Sequence, residues 1–259
     1  MRICIISQYF PPDIGGASTR VSNAVKGLRK GGHKILVVTA FPHYPHGRIP
    51  QKYKRKAFAV EGDDEVKVLR VWVPPLPHEG GAKRLIMYVS FTLFSLIALP
   101  FSGKVDIIWA VSPNYFSFIS GLFYKMAKKV PLVLDVVDLW PEALVNLGFL
   151  RSKFIIGIVN ASVNFFYKIS DGIITLNLSM KREILKRENN PDKVFIVENV
   201  VDLDVFRPLK VEKPKFLRNK FLVMYSGNLG PMYDFDTVLE TARNLAYVKN
   251  IVFILRNQI

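Results

Sequence analysis

Short apolar runs alternating with stretches of helical period constrain this chain more than any other feature. The runs are Ile3–Ser7, Ile35–Thr39, Val66–Val71, Ile107–Ala110, Leu132–Asp135, Ile173–Leu176 and Val194–Val197. Each is nearly continuous in apolar character and lacks the in/out alternation of a half-exposed strand, which suits parallel strands covered on both faces. Between the first two, Val21, Ala24, Val25 and Leu28 recur at helical spacing, with Ser18 or Thr19 placed to cap the start and Gly31-Gly32 to end it. Further helices are predicted over Tyr115–Lys128, Ser152–Ile169 and Ser179–Arg187. Repeated strand–helix–strand order implies an α/β fold with a doubly wound, mostly parallel, Rossmann-like sheet.

With 259 residues, 50% of them hydrophobic, the chain can bury a full core. The pattern assigns 1–199 to this first domain. It lapses after Asn199, and Lys210–Lys220 is rich in Lys and Pro, so 200–220 reads as a linker. A fresh unit occupies 221–259: a strand Phe221–Tyr225, a loop Ser226–Tyr233, a helix aligning Phe235, Val238, Leu239 and Ala242, and a strand Ile251–Leu255. This is the opening of a second, partial Rossmann-like domain, too small to be stable alone.

Lys and Arg number 36 against 21 Asp and Glu, a formal charge of +15. That excess favours nucleotides, nucleic acid or an anionic membrane surface. A basic run (Arg48, Lys52, Lys54, Arg55, Lys56) is interleaved with Phe41, Tyr44, Tyr53 and Phe58, but no nucleic-acid motif accompanies it, so nucleic acid is not expected as a partner. Cys4 is the single cysteine and no secretory signal opens the chain, so a cytoplasmic setting is expected. Leu85–Phe101 is almost wholly apolar after Lys83-Arg84. Such a helix can be buried, can lie in a membrane interface, or can span; burial is the leading expectation.

The segment from Ser7 to Ser18 runs from the first strand into the first helix and contains Gly15-Gly16. Glycines there let backbone approach a phosphate, and a helix N-terminus offers free N–H groups and positive dipole. An unliganded glycine turn is the alternative. A dinucleotide-binding dehydrogenase is disfavoured: the glycines come late, and the second strand ends Val37-Val38-Thr39-Ala40 with no carboxylate.

The glycine pair, the amphipathic helix and Gly31-Gly32-His33-Lys34-Ile35 resemble the opening of family 4 retaining glycosyltransferases, which have the two-domain GT-B fold. Leu134-Asp135-Val136-Val137-Asp138-Leu139-Trp140-Pro141-Glu142, with Ser112-Pro113 upstream, resembles the branch that builds surface polysaccharides and exopolysaccharides. Asn199-Val200-Val201-Asp202 resembles the family's crossing between domains, and Tyr225-Ser226-Gly227-Asn228-Leu229-Gly230 its second glycine loop. The resemblance implies transfer of sugar from a nucleotide-diphosphate donor, with retention, to a lipid-linked or glycan acceptor, with no cofactor or metal. It places the donor diphosphate near Gly15, Gly16, Ser226, Gly227 and Asn228, and the acceptor near His43, Tyr44, Ser112, Glu142 and Asn199. It also suits attachment to the inner membrane face, where Lys83-Arg84 and the basic run would meet anionic lipid.

The departures matter. Relatives place a His where Val137 stands, and cations on the donor phosphates where Asn228 and Tyr233 stand; the family's paired-glutamate motif does not occur. A complete donor site is therefore not expected in this chain, and a non-catalytic half completed by a separate C-terminal domain is the alternative function. Asp138 is the first choice for a catalytic carboxylate, against a role capping the turn into Trp140-Pro141. Glu142 could equally complement a helix dipole. His43 and His46 lie in a proline-marked loop without an accompanying carboxylate or cysteine, which points away from metal.

Overall fold

The computed structural model describes residues 1–77, 80–146, 148, 150–209, 212–227, 229 and 233–257. They divide into two compact units, Met1–Asp202 and Leu203–Ile259. In the first, β1 (Arg2–Ile6), α1 (Gly16–Lys30) and β2 (Lys34–Ala40) are followed by β3 (Phe58–Gly62) and β4 (Val66–Val71). Then come α2 (Gly81–Ile97), β5 (Ile107–Val111), α3 (Ser117–Lys128), β6 (Leu132–Val136) and α4 (Glu142–Asn146). The unit continues with α5 (Lys153–Ile169), β7 (Gly172–Thr175), α6 (Leu178–Leu185) and β8 (Val194–Ile196).

The sheet order is β3-β4-β2-β1-β5-β6-β7-β8, parallel throughout except for β3 against β4. Both faces are covered. Cys4 and Ile6 join one buried cluster with Phe91, Phe118 and Tyr124, while Ile3 and Ile5 join another with Val21 and Val25. That is why the strands read as unbroken apolar runs. Each fully buried aliphatic side chain stabilises by about 1.5–3 kcal/mol. Chain order reverses direction between β1 and β5, so the loops beyond their carboxyl ends diverge and leave a crevice.

β3 was not anticipated. It is an edge strand whose residues alternate between exposed and half-buried, so it lacks the continuous apolar signature. The turn into β4 requires Gly62: its φ is 99°, and a Cβ there would lie 2.0 Å from the Val66 carbonyl oxygen.

α2 corrects the leading expectation of burial all round. Met87, Phe91, Thr92 and Ser95 face inward, while Leu85, Ile86, Val89, Leu93 and Ile97 are exposed. The hydroxyls are satisfied inside: Ser95 Oγ lies 2.7 Å from Ser120 Oγ, and Thr92 Oγ1 donates to the Phe116 carbonyl at 3.1 Å. Tyr124 Oη donates to the Ser95 carbonyl at 2.9 Å. Among the described residues no helix is long and apolar enough to cross a membrane.

The second unit holds β9 (Phe221–Gly227), α7 (Phe235–Asn244) and β10 (Ile251–Asn257), with β9 and β10 paired in parallel. Asp234 caps α7 by accepting the Thr237 N–H at 3.1 Å.

Candidate functional site

The crevice between β1 and β5 holds a cavity of about 270 Å³ whose wall includes Tyr9, Gly15, Gly16, Tyr44, Arg84 and Tyr88. α1 opens straight onto it. The helix begins at Gly16 with Gly15 as its N-cap, no side chain caps it, and no acidic residue occupies its first turn. Ser18 and Thr19 therefore do not cap it, because the helix starts ahead of them; instead the Thr19 N–H donates to the Gly15 carbonyl at 2.9 Å. The uncapped first turn keeps its positive end for whatever enters the cavity. A Cβ on Gly15 would crowd the Tyr44 ring at 3.2 Å. A Cβ on Gly16 would meet no protein atom within 4 Å.

Asp13 sets the wall on the Tyr44 side. Its Oδ1 accepts the backbone N–H groups of His43 at 2.8 Å and Tyr44 at 2.9 Å. Burial pushes its carboxyl above the ordinary aspartate value, against the opposing pull of His43, these two N–H groups and Arg70. The His43 ring is buried. Nδ1 donates to the Phe41 carbonyl at 2.8 Å, which leaves Nε2 as acceptor toward the Gln8 amide at 3.5 Å. Gln8 Oε1 in turn accepts from Asn114 Nδ2 at 2.7 Å, so one chain of hydrogen bonds joins the loops after β1, β2 and β5. Desolvation holds the His43 pKa below the usual histidine value, with Asp13 opposing. Outside this wall lies a cavity of about 540 Å³, lined by Asp13, His43, Tyr44, His46 and Arg48 among others.

The remaining sequence candidates fall into distinct settings. Asp138 is exposed beyond the end of β6, and among the described residues nothing bonds or pairs with its carboxyl. Desolvation by the surrounding protein raises its pKa, and its charge is felt at Tyr88 in the cavity wall. Ser112 is buried, its Oγ accepting the Val137 N–H at 2.9 Å, while the adjoining Pro113 lines the cavity. Glu142 pairs with Arg187. Ser226 and Gly227 end β9 in the second unit, and Asn228 lies outside the described residues. Gly15, Gly16 and Tyr44 are thus brought together in one wall. Ser112 stands behind that wall, whereas Glu142 is held elsewhere. Among the described residues no three His, Cys, Asp or Glu side chains are grouped to hold a metal ion.

A family profile described as glycosyl transferase 4-like domain matches residues 15–199, most of the chain. The chain belongs to this family. A relative in Escherichia coli (strain K12), named "Putative colanic acid biosynthesis glycosyl transferase WcaI", is 25% identical over 259 residues, covering 95% of this chain. The chain spans 63% of that relative's length. Among solved structures, Anabaena Alr3699/HepE in complex with UDP and glucose aligns with TM-score 0.55 at 14% identity, over 99% of this chain and 69% of that one. Arabidopsis thaliana UGT89C1 complexed with UDP aligns with TM-score 0.60 at 12% identity, over 100% and 67%. These likenesses place the architecture with the GT-B fold.

Within this glycosyl transferase 4-like domain, a buried ion pair lies outside the catalytic and donor-site candidates drawn from the sequence. Arg20 on α1 donates through Nε and Nη2 to the two carboxylate oxygens of Asp135 on β6, at 2.8 and 2.9 Å. The same guanidinium donates to Asn199 Oδ1 at 3.0 Å and to the Val197 carbonyl at 3.0 Å. Asn199, a sequence candidate for acceptor binding, has its carboxamide oxygen engaged there. The signal was present: a charge beside the apolar stripe of α1 and a carboxylate inside the run Leu132–Val136. Tyr9, Arg84 and Tyr88 were also missed as lining, because only the fold brings α2 beside the glycine turn.

Proposed function

We propose that this chain takes part in sugar transfer from a nucleotide-diphosphate donor, with retained anomeric configuration, to a lipid-linked or polysaccharide acceptor in cell-surface glycan assembly. One observation carries the reading: a family member whose switch-point cavity is walled by an uncapped helix N-terminus, Gly15-Gly16 and Arg84. Backbone N–H groups and a cation there stabilise the negative charge that a departing diphosphate develops. The UDP complexes of HepE and UGT89C1 support a nucleotide sugar as donor, and likeness to WcaI supports a surface glycan as product.

In this scheme the bond from the anomeric carbon to the diphosphate breaks and a bond to the acceptor oxygen forms on the same face. The acceptor proton passes to the departing diphosphate, so no strong protein base is needed. Asp138 accepts a hydrogen bond from the incoming hydroxyl and orients it. Tyr44 and the cavity beyond it receive the rest of the acceptor. Attachment to the inner membrane face belongs to the same reading, since a lipid-linked acceptor is presented there.

Calorimetric titration of the chain with UDP and UDP-sugars, followed by transfer assays to lipid-linked acceptors, tests it. Saturable but weak binding of one nucleotide per chain is expected, because the paired-glutamate part of the donor site does not occur in its sequence. Acceptor binding without any nucleotide binding would instead make the chain a non-catalytic recruiting half.

A further inference from the structure

We propose that the outward face of α2, together with the cation-lined cavity beside it, docks on an anionic phospholipid bilayer. The proposal deepens the lipid-linked acceptor reading and rests on it for its purpose, though the surface itself is argued from the fold. α2 is built inside out, with its hydroxyls bonded inward and Leu85, Ile86, Val89, Leu93 and Ile97 turned to solvent at 38–61% exposure. These positions form one stripe along a helix roughly 25 Å long. Phe101, 57% exposed, prolongs it and stacks on Phe58 of β3 with ring centroids 4.8 Å apart. Soluble monomers seldom leave a stripe of this kind to water.

The charge beside the stripe identifies what covers it. A cavity of about 440 Å³ is lined by Arg48, Lys54, Arg55, Tyr53 and Trp72, among others. Trp72 meets Phe94 of α2 edge-on at 5.1 Å, so cavity and helix are neighbours. Among the described residues no carboxylate pairs with Arg48, Lys54 or Arg55, whereas nearby Lys52 is held by Glu61 at 3.0 Å. Lys83 adds a cation in the first turn of α2. Cations near an apolar stripe suit a lipid surface: phosphates would meet the guanidinium and ammonium groups while the stripe enters the acyl boundary. A second copy is disfavoured, because pairing this face would oppose two chains of charge +15.

The test is co-sedimentation of the 259-residue chain with phosphatidylcholine vesicles, with and without phosphatidylglycerol. Wild type is expected to partition onto the anionic vesicles and to be weakened by salt. Lys54→Ala with Arg55→Gly should lower that partitioning roughly 30-fold, at about fivefold per cation. Leu93→Asp with Ile97→Asp should abolish it while leaving thermal unfolding and UDP binding intact, since both side chains are exposed. Equal binding to neutral and anionic vesicles, or wild-type binding by both variants, would overturn the proposal. So would a lipid-free dimer in sedimentation velocity that the Leu93/Ile97 variant dissolves. Vesicle binding without UDP binding would sink the sugar-transfer reading and leave this surface standing; the converse would do the reverse.

Discussion

Arg20 and Asp135 lie 115 residues apart, and each is buried on account of the other. Removing one partner strands a charge in the core, so Arg20→Ala or Asp135→Ala should each cost about 3–5 kcal/mol in urea unfolding. The double replacement Arg20→Met with Asp135→Leu should recover most of that loss; if it is as unstable as the singles, the pair is not the cause. His43 makes a pH prediction. Its folded pKa is lowered by burial, so below the ordinary value near 6.5 the unfolded chain takes up a proton that the folded chain refuses. Stability should therefore fall on acidification from pH 7 toward 5, by at most about 1.4 kcal/mol per pH unit. In His43→Gln that limb should flatten, as read from urea midpoints across the range. Single residues were the least legible level in the sequence. Gly15 and Gly16 could be picked out because a strand–turn–helix junction is local. The Asp13 bonds to the loop after β2, and the partner of Arg20, depend on strand neighbours that no short window contains.

At the scale of elements, the parallel strands and most helices were readable because burial on both faces leaves an unbroken apolar record. β3 escaped because an edge strand beside a basic run shows no such record. α2 was legible as a helix but not in its orientation: apolar residues populate both sides, and the outcome turned on which side could satisfy Thr92, Ser95 and Tyr124 against α3. α1 carries the sharpest functional test. Gly16→Ala adds a methyl group that no protein atom opposes, at a helical position where Ala is favoured over Gly by up to about 1 kcal/mol. Thermal stability should hold or rise while UDP affinity falls roughly tenfold, because backbone approach to a phosphate is obstructed. Unchanged affinity by calorimetry would remove the diphosphate from this turn. Asp138→Asn should lower the transfer rate with little effect on UDP binding, separating acceptor orientation from donor recognition.

For the molecule as a whole, the described chain divides between Asp202 and Leu203. Arg207, Lys213, Lys215 and Arg218 are exposed in the stretch that follows. Limited trypsin digestion should cut there before it cuts within the eight-stranded sheet, and mass spectrometry of the first stable fragment checks this. Fragments beginning inside β1 to β8 would show that the first unit is the weaker one. The meeting of α1, β6 and the strand-exit segment at a single guanidinium also limits how this domain can be shortened. Its final residues are not a dispensable tail. A version ending at Thr175 would keep seven strands yet leave Arg20 without Val197 and Asn199. Anyone seeking a minimal folding unit should cut beyond Asp202, because an opening helix and a closing segment that share one cation are retained together or lost together.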